Sequence, residues 1–140
     1  MKIVKNVCYG GFGISSEAFL LYFKKKFDCD NPHCYIYNHN LTFKEVSIKE
    51  ALKTENEGDL FLSISPLSDQ EIWDKAYSCH YFDNEERRMD PILIEVIEEL
   101  GTRANGRFAN LKIVEVPDDV KWEIDDYDGM ETIREISREW

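Results

Sequence analysis

The stretch from Asp90 to Gly101, DPILIEVIEELG, constrains the fold more than any other part of the sequence. Asp90 suits a helix N-cap, Pro91 suits the first helical position, and Gly101 suits the position after the last turn. Because apolar side chains cover more than one helical face, the pattern predicts a helix buried against a sheet and, in an oligomer, against a second subunit. These apolar residues are Ile92, Leu93, Ile94, Val96, Ile97 and Leu100.

The other periodicities predict a single α+β domain spanning residues 1–140, with a mixed β-sheet packed against helices. Residues 111–116 and 120–125 alternate like strands around a turn, which predicts a C-terminal β-hairpin. Asp128 and Glu131 have the spacing of a capping box and predict a short helix after that hairpin. The further predicted strands are 2–8, 34–37 and 59–65, and the further helices begin at Ser15 or Ser16 and at Ser47.

The segment 69–86 combines aromatic and polar residues without a clear period. Aromatic side chains in such a segment could stack on a nucleotide base. The alternative is that they hold a loop against the core. The aromatic residues concerned are Trp73, Tyr77, Tyr81 and Phe82.

The chain carries a formal net charge of -11 at pH 7. Such a surface repels a phosphate backbone, so we expect no binding to nucleic-acid polymers. Lysines dominate residues 1–27, whereas acidic residues dominate 115–140. Oppositely charged ends could meet between subunits, which favours a homo-oligomer; the alternative is a solvated acidic surface.

No apolar run reaches the ~18 residues of a membrane span, and the N-terminal MKIVKNV lacks the features of a secretory signal. We therefore expect a cytoplasmic protein without membrane contact. Its four cysteines match no structural zinc pattern well, which favours reduced thiols and no metal site.

Residues 8–16, CYGGFGISS, place Gly10, Gly11 and Gly13 between a strand and a helix. A glycine-rich turn of this kind directs backbone N–H groups and the helix dipole towards one point, which favours an anion. Phe12 and Ser15 belong to the same stretch, and the Ser15 hydroxyl adds a donor. The pattern matches neither G-x-G-x-x-G nor the lysine-containing P-loop, so a bare turn is the competing interpretation.

Arg88 precedes the predicted helix at 91–100 and is a candidate phosphate ligand, because an arginine fork matches phosphate oxygens. The alternative for Arg88 is a salt bridge with Glu85, Glu86 or Asp90.

The stretch RANGRFAN, residues 103–110, follows the same helix. Asn105 suits the edge of an adenine, Phe108 could stack on a ring, and Arg107 adds a cation. The alternative here is an ordinary loop in which Phe108 fills the core.

The sequence contains neither Gly-x-Ser-x-Gly nor His-Glu-x-x-His. His33, His39 and His80 lie in a loop-rich third without an obvious orienting partner. The acidic pairs 118–119 and 125–126 fit solvated turns better than a Mg²⁺ site. Phosphate-binding groups without hydrolytic groups indicate binding rather than turnover, so we expect neither enzyme activity nor a cofactor.

Several stretches together resemble one family of phage proteins. They are VCYGGFGIS at 7–15, RMDPILIEVIEELG at 88–101, ANGRFANLKIVEVPDDVKWEIDDYDGMETI at 104–133 and the terminal REW. Together they resemble the phage Thoeris anti-defence protein 1 family, whereas residues 28–86 match it poorly.

The resemblance implies a sponge and not an enzyme. Such proteins bind cyclic ADP-ribose isomers made by bacterial TIR-domain defence proteins and hold them unchanged, which starves the defence effector of its signal. Family members also bind cyclic trinucleotides at separate sites and assemble as hexamers built from dimers. The resemblance therefore implies a homo-oligomer that acts in the host bacterial cytoplasm.

The chemistry of such a ligand suggests its contacts. The glycine loop, Ser15 and Arg88 would take phosphate, an aromatic ring would stack on adenine, and an amide would read a base edge or a ribose hydroxyl. We expect these pockets at a dimer interface, lined in part by the helix at 91–100. The predicted ligand-binding residues are Gly10, Gly11, Phe12, Gly13, Ser15, Arg88, Asn105, Arg107 and Phe108.

Two other functions stay open at the level of sequence. The chain could be a protein-binding inhibitor whose acidic C-terminal third covers a basic partner. It could also be an enzyme that cleaves a cyclic nucleotide, with His80 or an acidic pair as the base.

Overall fold

The computed structural model describes residues 1–136 and has an α+β fold. Within these residues, four α-helices and eight strands follow one another, with short 3-10 turns between several of them. The helices are α1 (Ser16–Phe27), α2 (Ile48–Ala51), α3 (Asp69–Lys75) and α4 (Pro91–Leu100). The strands are β1 (Lys2–Asn6), β2 (His33–Tyr37), β3 (Phe43–Val46), β4 (Leu60–Ser63), β5 (Tyr77–Ser78), β6 (Leu111–Glu115), β7 (Trp122–Tyr127) and β8 (Met130–Glu135).

The strands form three antiparallel sheets in place of the one mixed sheet that the sequence predicts. The order of the largest sheet is β3-β2-β4-β5, and two further pairs are β1-β6 and β7-β8. Every pairing within the described residues is antiparallel. The α+β class is confirmed, because helices and antiparallel strands pack into one domain.

Helix α4 packs against α1 and β1 in the core. Asp90 caps it by accepting a hydrogen bond from the N–H of Ile92, as the Asp-Pro pattern predicts. Its buried side chains are Leu93, Ile94, Val96 and Ile97.

The solvent side of α4 carries glutamates that form ion pairs with Lys2 and Lys25. Helix α4 is therefore buried on its apolar side within the chain, and the contact of α4 with a second subunit stays a prediction.

The C-terminal hairpin exists, but its strands are β7 and β8 and not 111–116 with 120–125. Strand β6 pairs with β1 instead, from Lys2 opposite Glu115 to Asn6 opposite Leu111. Asp128 and Gly129 form the turn between β7 and β8 with φ of 50° and 88°. The prediction of a final helix starting at Asp128 is wrong over 130–135, because an Asp-Gly turn between alternating segments specifies a hairpin. The rest of that helix, 137–140, lies outside the described residues.

The aromatic residues of segment 69–86 hold this part of the chain against the core. Phe82 is fully buried, and its ring lies 4.9 Å from that of Tyr22 on α1. Tyr77 packs against Phe23 at 5.7 Å between ring centroids. Trp73 is the exception, because it lies on α3 against Phe43 and Phe61 on the outer face of the four-stranded sheet.

Candidate functional site

A groove of about 380 Å³ lies where four loops meet. One wall is the glycine loop, residues 10–14, which connects β1 to α1. A second wall is the segment 106–109, which follows α4 and precedes β6, and residues from 57–58 and 79–83 complete the lining. The lining residues are Gly10, Gly11, Phe12, Gly13, Ile14, Glu57, Gly58, Cys79, His80, Asp83, Gly106, Arg107, Phe108 and Ala109.

Backbone contact between the two walls explains two of the glycines. The N–H of Gly106 donates to the carbonyl of Gly13 at 2.8 Å. A Cβ on Gly106 would lie 2.6 Å from the carbonyl carbon of Gly13, and a Cβ on Gly10 would collide with the backbone of Phe108. Glycine at both positions is required because the chains approach more closely than a side chain permits.

The C-terminal hairpin supports the glycine loop from behind. Gly11 has φ of +92°, a conformation that favours glycine. A Cβ on Gly129 in the hairpin turn would lie 2.6 Å from the Cα of Gly11. The loop therefore turns a corner between three packed segments.

The same loop also has donors to offer a ligand. Among the described residues, no protein acceptor pairs with the backbone N–H groups of Gly10, Gly11, Phe12 or Gly13. Consecutive N–H groups in a glycine-rich turn form an anion-binding concavity. Close packing involves the backbone nitrogen of Gly11, which lies against Gly129. The loop N–H groups left to bind an anion are therefore those of Gly10, Phe12 and Gly13.

Two side chains at the rim suit a planar, anionic ligand. Phe108 is 64% exposed, so it does not fill the core. The guanidinium carbon of Arg107 lies 5.3 Å from the centre of the Phe108 ring. An exposed ring beside a cation can stack on a base while the cation meets a phosphate.

Acidic and nucleophilic groups also line the groove. Glu57 accepts a hydrogen bond from the N–H of Arg107 at 2.6 Å, and burial raises the pKa of its carboxyl. Burial likewise raises the pKa of the Cys79 thiol, so this thiol is not activated as a nucleophile. His80 Nδ1 lies 3.0 Å from a carboxylate oxygen of Asp83.

Glu57, Cys79 and Asp83 line the groove but are not among the binding residues that the sequence predicts. Glu57 lies 50 residues from its partner Arg107, and no local pattern connects the two. The spacing of His80 and Asp83 does indicate that the two side chains lie close together, because residues three apart in a helical turn are neighbours.

Ser15 and Asn105 are predicted ligand contacts whose side chains stabilise the fold instead. The Ser15 hydroxyl donates to the carbonyl of Arg103 at 2.6 Å and accepts the N–H of Ala18 as the N-cap of α1. The Asn105 side-chain oxygen accepts the N–H of Leu111 at 2.9 Å. Both residues frame the groove without lining it.

Arg88 is buried and does not present its guanidinium to the groove. Its two terminal nitrogens donate to the two carboxylate oxygens of Glu131 at 2.7 and 2.9 Å. Its Nε donates to the carbonyl of Phe82, and the ring of Phe12 covers its guanidinium at 3.5 Å. The predicted phosphate contact of Arg88 is therefore replaced by an ion pair, whose partner comes from the hairpin and not from 85–90.

Across residues 1–136, no cluster of His, Cys, Asp and Glu is arranged to hold a metal ion. None of the helices in that range is long and apolar enough to cross a membrane. Comparisons with protein-family models, with curated proteins and with solved structures gave no match.

Proposed function

We propose that this chain binds cyclic ADP-ribose-type signals in the groove and sequesters them without cleavage, which blocks TIR-dependent Thoeris defence in the host cytoplasm. The observation that supports this proposal is that the glycine loop and the Arg107–Phe108 pair line one groove. The resemblance to the phage Thoeris anti-defence protein 1 family supplies the ligand class, and the groove supplies matching chemistry.

Two kinds of group in the proposed ligand, the diphosphate and the adenine, have a matching partner in the groove. Its diphosphate meets Arg107 and the unpaired N–H groups of the glycine loop. Its adenine stacks on Phe108. A volume of about 380 Å³ lies within the range of small-molecule sites.

Sequestration without turnover is consistent with the groups that line the groove. A nucleophilic route would require a thiolate, and burial raises the pKa of Cys79. His80 is the one histidine among the lining residues, and it is the group that a cleaving enzyme would use. The proposal therefore predicts that replacing His80 leaves the fate of the ligand unchanged.

The assembly and the second ligand class belong to the same proposal. A homo-oligomer built from dimers would enclose a ligand more completely than the open groove of one chain. Cyclic trinucleotides are the second class of ligand, at sites apart from the groove. Light scattering of the purified protein measures the assembly directly.

Capture and release of ligand tests the proposal. The purified protein is mixed with a panel of cyclic ADP-ribose isomers and cyclic trinucleotides, free ligand is filtered away, the protein is heat-denatured, and the released molecules are identified by mass. Intact ligand in stoichiometric amount supports a sponge. An altered product indicates an enzyme, and capture of nothing overturns the proposal and favours a protein-binding inhibitor.

His80→Asn is the matched variant for this experiment. If it captures ligand like the wild-type protein and neither protein alters the ligand, the sponge mechanism holds. If the wild-type protein converts ligand slowly and His80→Asn does not, the chain is an enzyme with His80 as its base.

A further inference from the structure

Glu57 occupies an unexpected position for a groove that binds an anion. Its Oε1 accepts the backbone N–H of Arg107, so its carboxylate adjoins the residue that would bind phosphate. Among the described residues, no protein donor reaches its other oxygen, Oε2. Glu57 also lines the groove, so this free oxygen belongs to the binding surface.

A carboxylate beside a phosphate site costs affinity unless the ligand gives it a hydrogen bond. Two like charges at short range repel, and a half-buried carboxylate oxygen without a donor, such as Oε2 of Glu57, loses solvation. A ligand that carries hydroxyl donors next to its phosphate would turn the same carboxylate into a favourable partner.

We propose that Glu57 determines specificity by accepting a hydrogen bond from a ribose hydroxyl of the bound ligand. This inference rests on the proposed function and narrows its ligand to phosphate esters with a free ribose hydroxyl. The ribose is the part that fits, because it is bonded directly to the phosphate that Arg107 holds. The adenine amine belongs to the ring that stacks on Phe108, further along the rim.

This role is tested by measuring how tightly the wild-type protein and its variants bind the parent ligand and a set of its analogues. The probe is the member of the panel above that the wild-type protein captures most tightly, together with its analogues in which one ribose hydroxyl at a time is replaced by hydrogen. The variant is Glu57→Gln, whose side-chain carbonyl still accepts the N–H of Arg107. The matched control is Glu55→Gln, because Glu55 is an exposed neighbour that does not line the groove.

We expect one deoxy analogue to bind the wild-type protein and Glu55→Gln about tenfold or more weakly, the range for a hydrogen bond to a charged group. Glu57→Gln should bind the parent ligand correspondingly more weakly and should discriminate less against that analogue. Titration calorimetry measures all these affinities, and the thermal midpoint of each variant reports its folding.

The outcomes separate this inference from the proposed function. If Glu57→Gln still binds the parent ligand as much more tightly than the deoxy analogue as the wild-type protein does, then Glu57 only anchors the segment 106–109. Equal wild-type affinity for the parent and every deoxy analogue would overturn the inference even if the variant failed to fold. Both results leave the sponge intact, whereas a wild-type protein that captures no panel member overturns the sponge and the inference together.

Discussion

At the scale of single residues, Arg88 shows how one side chain connects distant parts of the chain. Its guanidinium joins the hairpin through Glu131, the segment 79–83 through the carbonyl of Phe82, and the glycine loop through the ring of Phe12. The N–H of Asn6 also donates to Glu131 at 2.9 Å. Arg88 therefore positions the groove wall from inside the protein.

Replacing Arg88 by alanine should destabilise the fold strongly. The change leaves the Glu131 carboxylate buried without its cation, and breaking a buried pair in this way costs about 3–5 kcal/mol. Urea unfolding monitored by circular dichroism measures the loss. Arg103→Ala is the control, because the Arg103–Glu17 pair is exposed and should matter little. An unchanged unfolding midpoint for Arg88→Ala would contradict this assignment.

Replacing Phe108 by alanine should weaken ligand binding without weakening the fold. The ring is 64% exposed, so its removal leaves no cavity, while stacking on a base contributes about 1–3 kcal/mol. Titration calorimetry with the captured nucleotide measures the affinity. Tyr127→Ala, on an exposed ring outside the groove, should bind normally. Full affinity in Phe108→Ala would exclude stacking on this ring.

At the scale of elements, the hairpin turn and the glycine loop form one packed unit. Gly129 has φ of +88° and lies against the backbone of Gly11. The hairpin thus supports the wall of the groove although none of its residues lines the groove itself.

Replacing Gly129 by alanine should lower both stability and ligand affinity. The new Cβ would meet the backbone of Gly11, which has no flexible side chain to move aside. Gly101→Ala is the matched control, because Gly101 has φ of +59° but nothing lies within 4 Å of a Cβ added there. The Gly101→Ala control should be less stable, because alanine is strained at this positive φ. Its folded molecules should bind the ligand with unchanged affinity. Equal affinity in both folded variants would show that the hairpin does not shape the groove.

The N-cap of α4 makes stability depend on pH. Burial opposes ionisation of Asp90, but hydrogen bonds from Tyr22, the N–H of Ile92 and Lys26 outweigh it, and the pKa of this carboxyl is lowered below 3.8. Its contribution to stability is therefore present above the unfolded pKa and is lost as the pH falls through the lower folded pKa.

Asp90→Asn should remove this pH dependence while keeping a good cap. We expect the free energy of unfolding of the wild-type protein to fall more steeply than that of Asp90→Asn as the pH drops from about 5 towards 2, the range set by the lowered carboxyl pKa. Parallel urea titrations at several pH values measure the difference. Identical slopes would show that the Asp90 charge contributes nothing.

Local patterns predicted elements well and missed long-range pairing. The caps of α1 and α4 are confirmed because a cap depends on neighbours within one turn. The pairing of β1 with β6 and of Arg88 with Glu131 could not be read from spacing, because these partners are brought together only by the whole fold. The Asp128–Gly129 turn was readable, but the capping-box spacing of Asp128 and Glu131 competed with it.

The same distinction applies to the groove. The sequence predicts its glycines, Arg107 and Phe108, because their residue types are distinctive within short stretches. Ser15 and Asn105 carry the right chemistry, but their hydrogen bonds are taken up by backbone partners. Glu57 could not be predicted from the sequence, because it is a single glutamate in a polar turn and no nearby residue in the sequence marks it as part of a site.

At the scale of the whole molecule, opposite charges meet within one chain. The N-terminal amine lies 2.7 Å from Asp118. On α1, Lys25 pairs with Glu95 of α4, and Lys26 pairs with Asp90, the N-cap of α4. The charge asymmetry of the sequence is thus partly used inside the monomer, and it does not require a second subunit.

The remaining negative charge should make stability rise with salt. The net charge is -11, and repulsion within the folded chain is screened as the Debye length falls from about 30 Å at 0.01 M to about 3 Å at 1 M. We expect the thermal midpoint to increase with sodium chloride concentration. A Glu55→Lys, Asp119→Lys double variant should start from a higher midpoint and respond less. A midpoint that falls with salt would show that ion pairs outweigh repulsion.

The close approach of Gly13 and Gly106 has a consequence for how this protein can evolve. The two walls are held together by main-chain atoms, so the scaffold does not depend on which side chains stand at positions 107 and 108. Selection could therefore exchange those rim residues, and with them the preferred ligand, without rebuilding the interior. In such a chain, one or two substitutions at positions 107 and 108 would be enough to change which ligand binds.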